Sequence, residues 1–453
     1  MTDPSPEMPL ASWLDLDERY RIQSTARLPL IPCRGEGAYF WDSEGKRYLD
    51  FESGQVCVST GHCHPQMVEA ITRQAHLLMQ TGSGFTTLPQ ILLAKRLAEL
   101  SSPPLQKSYF ACTGSESNEA ALRLAKVYTG RFEVVALLRS YHGRTFASWS
   151  LTGMGGSARA GYGPPMPGVT FIPAPYEYRC GYCQSTGTCN LSCFDAARDL
   201  IDRSTSGKPA AVFFEFVLSA GGMIVVPRNW VMALQEFCRE RDTLLVADEA
   251  QTGIGRAGNW FCYQEYGIVP DIVTLSKSLG GGVPLSAVIT SAAVADDAVA
   301  KGYMQSSSHT GDPLLCAAGL ANIDIIEKEQ ILANVKEVGA YLKAGLQQIQ
   351  HRYEIIGDVR GIGLLLGVEF VEDRERKTPS SRLATAVWRH CQERGLHLSY
   401  RPPAHGHAGV LADNVIRFLP PLILTRSQAA EALQIFEEGV KAAARGQGSQ
   451  KIL

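Results

Sequence analysis

The sequence is notable first for what it lacks. No apolar run in its 453 residues approaches the ~20 that a membrane-spanning helix needs. Lysine and arginine form no tracts and the formal net charge is only −2, which argues against a nucleic-acid ligand. The N-terminus, Met1-Thr2-Asp3-Pro4-Ser5-Pro6-Glu7, has neither the basic nor the apolar region of a signal peptide. The C-terminal Lys451-Ile452-Leu453 is not a Ser-Lys-Leu peroxisomal address. A cytoplasmic protein is therefore expected, with no membrane association. No internal repeat stands out. With 45% hydrophobic residues the chain can bury a large core, and length alone allows about three domains.

Cysteine is not scarce. Eight of the twelve cysteines are scattered singly, as buried thiols are in a reducing compartment. The other four cluster as Cys180-x2-Cys183-x5-Cys189-x3-Cys193. Such a cluster could hold zinc or form disulfides. Its spacing is much shorter than that of a zinc ribbon, so the expectation is a reduced, loop-borne cluster without metal. His62 and His64 also suggest a metal, but one residue separates them and Pro65 follows. A structural turn is expected there.

Two short stretches organise the rest. Ile272 to Leu275 reads as a buried strand and delivers Lys277, followed by Leu279-Gly280-Gly281-Gly282. Leu244 to Ala247 reads as another and delivers Asp248, Glu249 and Gln251. A buried lysine is costly as a cation. Parallel strands that present an aspartate and a lysine at one sheet edge place them where open α/β sheets bind ligands. An acid for a pyridinium nitrogen and a lysine for a Schiff base are the parts pyridoxal phosphate needs.

At this point the chain resembles the class III (ω-type) aminotransferases of pyridoxal-phosphate fold type I. Asp248-Glu249-Ala250-Gln251-Thr252-Gly253 and Leu275-Ser276-Lys277-Ser278-Leu279-Gly280 carry the likeness, which spans roughly residues 20 to 440. Ser53-Gly54-Gln55, Gly61-His62-Cys63-His64-Pro65 and Leu218-Ser219-Ala220-Gly221-Gly222 look most like the 2,2-dialkylglycine decarboxylase branch. The resemblance implies an α/β fold with a mixed, mostly parallel sheet in a large domain, residues 60–328. It also implies a smaller α+β domain, residues 329–453, joined by the N-terminal segment 1–59. It implies a homodimer with shared active sites.

Other site residues follow in chain order. A strand at Ser108 to Cys112, a turn, and a helix from Glu116 to Tyr128 would put free N–H groups toward an anion. By resemblance, Thr113, Gly114 and Ser115 form the cup for the cofactor phosphate, while Glu116 reads as a first-turn helix charge. Tyr141 matches the aromatic that stacks on the cofactor ring, and Ser308 the hydroxyl that reaches the neighbouring subunit's phosphate. Arg144 matches an arginine that binds the distal carboxylate in relatives acting on 4-aminobutyrate; the decarboxylase branch lacks it. Arg417 lies in the apolar run Val415 to Leu419 and needs an anionic partner. By resemblance it grips the substrate α-carboxylate, with Gln55 nearby. Residues 146–170 read as a Gly-rich loop, and Ala210 to Val217 as one strand carrying Glu215.

The expected activity is amino transfer between an amine or amino acid and an α-keto acid or other carbonyl, through Lys277. Decarboxylation-dependent transamination, epimerisation, elimination and amino-sugar chemistry remain open on the same scaffold. GABA-type relatives carry a glutamate where this chain has Ala220; that glutamate pairs with the arginine at the Arg417 position. Arg417 is accordingly expected to stay open to an α-carboxylate.

Overall fold

A computed structural model describes residues 9–24, 27–183, 189–402 and 412–450. Seven strands form the central sheet: β1 (Leu105–Ala111), β2 (Val134–Leu137), β3 (Val169–Ile172), β4 (Ala211–Phe214), β5 (Leu244–Asp248), β6 (Ile272–Leu275) and β7 (Ser286–Ser291). Their spatial order is β1-β7-β6-β5-β4-β2-β3, and only β7 runs against its neighbours. Every residue of β2, β4, β5 and β6 is buried. These short Val-, Ile-, Leu- and Phe-rich runs are what a sheet covered on both faces requires.

The shared direction has a consequence for the site. The C-terminal ends of β1, β2, β4, β5 and β6 all open at one edge. That edge therefore receives Thr113 after β1, Tyr141 after β2, Glu215 after β4, Asp248 at the end of β5 and Lys277 after β6.

A second body joins the two ends of the chain. Strands Pro32–Glu36, Tyr39–Asp42 and Arg47–Phe51 form an antiparallel meander, and Leu396–Leu398 adds to it in parallel beside Arg47–Phe51. A three-stranded antiparallel sheet consists of Ile356–Ile362, Leu365–Phe370 and Val415–Phe418, with Gly367 opposite Arg417. A bridge between Ser399 and Arg417 links the two sheets. Phe51, Phe418 and Phe436 pack edge to face between them, with centroids 5.8 and 5.0 Å apart.

Two local readings differ from the sequence expectation. The expected loop 146–170 holds a short helix, Phe146–Ser150, and the start of β3 at the sheet edge. The expected strand Ala210 to Val217 is broken: β4 ends at Phe214, and Val217–Leu218 pairs with Ile224–Val225 in a separate hairpin. The break turns Glu215 out of the ladder and into the site.

Candidate active site

The anion cup is a helix start fixed by its own side chains. Thr113 caps the helix Gly114–Thr129 in a reciprocal box: Glu116 N donates to Thr113 Oγ1 at 3.3 Å, and Thr113 N donates to Glu116 Oε2 at 2.8 Å. Glu116 is thus a capping residue. The first donor to a backbone carbonyl is Ser117, to Thr113 O at 3.1 Å. The N–H groups of Gly114 and Ser115 precede it and remain for an anion. Arg144 N donates to Ser115 Oγ at 3.0 Å, which pins the loop after β2 to the cup. Gly143 permits that approach: a Cβ there would lie 2.3 Å from Ser148 Oγ and 2.5 Å from Ser115 Oγ.

Asp248 is buried at the end of β5. His142 Nδ1 lies 2.8 Å from Asp248 Oδ2, Asn118 Nδ2 donates to the same oxygen at 2.7 Å, and Ala250 N donates to Oδ1 at 3.0 Å. Asn118 is itself held by Thr274 Oγ1 at 2.9 Å and by donating to His142 O at 2.7 Å. Burial alone would raise the carboxyl. The hydrogen bond and charge of His142, with the charge of Lys277, outweigh it and keep Asp248 below the ordinary carboxylate range.

Lys277 opens a short 3₁₀ turn, Lys277–Gly280, with a left-handed φ of 47°. Desolvation pushes its amine below the usual lysine value, against the fields of Asp248, Glu215 and Cys57, and the charge of Arg417 adds to the depression. Those fields identify the groups gathered around the amine. Glu215 is one that sequence reasoning did not assign to the site. Its Oε1 accepts from Tyr141 N at 2.8 Å. Burial and then the neighbouring Asp248 raise its carboxyl well above the ordinary value. Two nearby carboxyls are therefore driven apart, Asp248 below the ordinary carboxylate range and Glu215 above it.

Gln251 presents a buried Oε1 with no protein partner. Tyr141 is half-buried at the same edge, and the exposed Arg144 lies over its ring at 5.9 Å. Glu249, beside Asp248, has a different task. It accepts from Cys262 N at 2.6 Å and Tyr263 N at 2.9 Å, which fixes the helix Cys262–Tyr266.

Gln55 is exposed in a run of four left-handed residues, Ser53 to Val56, with φ of 46, 58, 59 and 71°. Arg417 is half-buried in the strand Val415–Phe418. Among the described residues no carboxylate forms an ion pair with it. Desolvation depresses its guanidinium and the field of Glu52 opposes that. Glu52 is another group the sequence did not reveal. It is committed to His397 Nε2 and Arg401 Nη2, each at 3.0 Å, and to Ser399 Oγ at 3.2 Å. Ala220 sits in the tip of the hairpin Val217–Val225, whose Met223 packs on Gly367, the residue opposite Arg417. Ser308 is exposed in a loop where its carbonyl accepts from Gln80 Nε2 at 2.8 Å. His62 and His64 do not meet. His62 pairs with Asp50 at 2.8 Å and His64 with Glu329 at 3.1 Å, in keeping with a structural turn.

A lysine, an ionised acid and a helix-start anion cup at the carboxyl edge of a mostly parallel sheet define a pyridoxal-phosphate enzyme. The polar groups present fit that cofactor, since Gln251 Oε1, an acceptor, and the two first-turn N–H donors are otherwise unmatched. The profile of the class-III aminotransferases matches residues 21–440, and the chain belongs to that family. An uncharacterised aminotransferase of Schizosaccharomyces pombe is 37% identical, over 91% of this chain and 90% of that protein. A leucine/methionine racemase of Thermococcus litoralis is 34% identical, over 91% and 90%. The solved structure of an (S)-enantioselective ω-transaminase from Thermomicrobium roseum superposes with a TM-score of 0.87 at 32% identity, covering 97% of this chain and 99% of that one. No described helix is long and apolar enough to cross a membrane.

Proposed function

We propose that the protein is an aminotransferase for which at least one co-substrate is an α-amino or α-keto acid. The observation that carries this reading is Arg417. It is a cation near Lys277, half-buried and without an ion-pair partner among the described residues. A desolvated guanidinium fork is suited to a carboxylate.

The cofactor supplies an aldehyde that condenses with amines and a ring that delocalises the electron pair released at the substrate Cα. The chain's residues do the rest. Thr113, Gly114 and Ser115 bind the phosphate, together with Ser308 of a second copy. Asp248, kept ionised by His142 and Asn118, holds a proton on the ring nitrogen. Tyr141 would supply an aromatic face to the ring, and Gln251, whose buried Oε1 has no protein partner, would offer it a polar contact. Lys277 Nζ takes the Cα proton and returns it, its basicity depressed by desolvation. Arg417 holds the α-carboxylate and so sets which Cα bond is broken, while Gln55 and Arg144 contact the remainder of the substrate.

A homodimer is supported by exposed apolar side chains. Leu77, Phe85 and Leu88 are 73, 71 and 75% exposed and line a groove between the helices Pro65–Leu77 and Leu88–Leu100. The pairing of Arg47–Phe51 with Leu396–Leu398 supports grouping residues 1–59 with 329–453 against a large domain at 60–328. Twelve unpaired thiols fit a cytoplasmic setting.

The test is a half-reaction assay on the purified holoenzyme with a panel of amino acids, ω-amino acids and simple amines. Cofactor absorbance, keto product, carbon dioxide and the enantiomer of each substrate are followed together. Amino transfer gives stoichiometric keto product without carbon dioxide. Inverted substrate without keto product would establish a racemase, as in the Thermococcus litoralis relative, and would overturn the reading.

A further inference from the structure

The mechanism above leaves one group of nucleophilic side chains unused, and the fold has gathered it. Cys180, Cys183 and Cys193 hold their sulfurs within 4.8 Å of one another. Cys189 Sγ lies 3.9 Å from Cys183 Sγ and 3.8 Å from Cys193 Sγ. Those separations are too long for a disulfide, whose sulfurs lie about 2.05 Å apart. The 3.9 and 3.8 Å separations match the edge of a tetrahedron of thiolates around zinc, about 3.8 Å for Zn–S bonds of about 2.3 Å.

The four residues come from different local structures. Cys180 follows the 3₁₀ turn Glu177–Arg179, and Cys193 is in the first turn of the helix Ser192–Ser204. That position favours a thiolate, because the helix start carries partial positive charge. Cys183 and Cys193 are buried and the other two are half-buried, so the site is closed on one side. The surrounding backbone is held by side chains. Cys189 N donates to Glu177 Oε1 at 2.9 Å, and Asn229 Nδ2 donates to Cys189 O at 2.8 Å. Such outer contacts orient metal ligands.

We infer that Cys180, Cys183, Cys189 and Cys193 form a structural thiolate site for a soft divalent cation, zinc by its coordination preference. This reverses the metal-free expectation drawn from the spacing alone. Four protein ligands leave no open position, so the role is to hold structure rather than to catalyse. What it holds is identifiable. Arg179 Nε donates to Glu369 Oε1 at 2.6 Å, and Tyr176 also bonds Glu369. Glu369 lies in the strand Leu365–Phe370, which pairs with the strand carrying Arg417. The cluster therefore fastens the segment that braces this sheet against the large domain.

The experiment loads purified holoenzyme with zinc, desalts it and measures metal per chain. About one zinc per chain is expected, with four thiols shielded from a thiol reagent until a strong chelator is added. Cobalt(II) in place of zinc should give the visible bands of a tetrahedral thiolate complex. Cys180→Ser/Cys193→Ser should lose the metal, and chelation of the parent should lower its Tm without releasing pyridoxal phosphate. The cobalt spectrum needs no variant, so misfolding of the double substitution would not rescue the inference. Zinc well below one per chain after loading, intramolecular disulfides in the intact mass, or full metal content in Cys180→Ser/Cys193→Ser would each overturn it.

Discussion

Arg417→Ala is the substitution that separates a substrate-binding arginine from a structural one. In the parent the guanidinium is half-buried, no described carboxylate pairs with it, and only the field of Glu52 offsets its desolvation. Its removal deletes a charged, two-pronged contact to a carboxylate substrate. A hydrogen bond to a charged group contributes about 1.5–3 kcal/mol. For a bidentate grip that implies a loss of roughly 2–4 kcal/mol in kcat/KM, or about 30- to 1,000-fold. The same change should leave the fold intact, because a poorly compensated cation is removed rather than a partner. Arg360→Ala provides the contrast. Arg360 Nη1 lies 2.8 Å from Glu369 Oε2 and 2.8 Å from Asp358 Oδ2, and Glu369 is 1% exposed. Its loss leaves buried Glu369 to Arg179 and Tyr176 and deprives Asp358 of its cation, and should cost about 1–3 kcal/mol of stability. The assay is steady-state kinetics with α-keto acids beside thermal melts of both variants. If Arg417→Ala used α-keto acids as well as the parent does, or lost as much Tm as Arg360→Ala, the carboxylate account of Arg417 would be refuted.

Lys277→Ala should abolish turnover and the borohydride-reducible link to pyridoxal phosphate while the protein still binds some cofactor; an active variant defeats the central assignment. Asp248→Ala should lower kcat by orders of magnitude, since one such electrostatic contact contributes several kcal/mol, with near-native circular dichroism as the control for folding. Ala220→Glu should weaken the carboxylate half-reaction and spare any partner substrate lacking an α-carboxylate, read as separate kcat/KM values for the two. Glu52 has a folded-state pKa lowered from 4.5 to about 2, where burial would raise it but His397 and Arg401 prevail. A depressed acid contributes stability above its unfolded value and loses it as pH falls through the folded one. Roughly 3 kcal/mol should therefore vanish on acidification from pH 4.5 to 2, and urea melts of Glu52→Gln should show a flatter acid limb.

Much of the site was legible because its chemistry sits at strand ends. Asp248 and Lys277 each close a run of buried residues, so the periodicity that reveals the strand also locates the side chain. Thr113 was assigned by resemblance, and the capping box that Glu116 completes with it went unread, because in the sequence Glu116 reads as a first-turn helix charge. The residues that tune those groups were not legible. Asn118, His142 and Asp248 come from a helix, a loop and a strand, and their contacts exist only after the sheet has assembled. Glu52 and Arg401 are separated by most of the chain and meet through the pairing of Arg47–Phe51 with Leu396–Leu398. Strand β3 escaped notice because four residues after Met166-Pro167-Gly168 carry too little pattern to stand out from a glycine-rich loop. The cysteine spacing suggested no metal because spacing reports contour length. Whether sulfurs meet depends on how the turn and helix on either side aim them.

Two strained segments meet beneath the site, and their junction gives them a common purpose. Left-handed backbone costs a non-glycine residue about 1–2 kcal/mol. Ser53, Gln55 and Val56 adopt it in succession around Gly54, and Lys277 adopts it alone. Such conformations persist only where the surroundings determine them. Here Ser53 N donates to Asp50 Oδ1 at 2.9 Å, and Ser53 Oγ donates to Leu419 O at 2.7 Å. Val56 is buried, and its carbonyl accepts from Ser278 Oγ at 3.1 Å, one residue beyond Lys277. Ser59 Oγ and Asn322 Nδ2 in turn donate to Ser278 O at 3.3 and 2.7 Å. The turn that carries Gln55 and the turn that carries Lys277 are thus locked back to back. Leu419 O ties the first of them to the strand of Arg417. A change that relaxed either turn would move the lysine relative to the arginine, and the distance between the amine and the guanidinium decides where a carboxylate and its Cα can sit together. Their strain is better explained by that requirement than by stability, which a right-handed turn at either place would serve at lower cost.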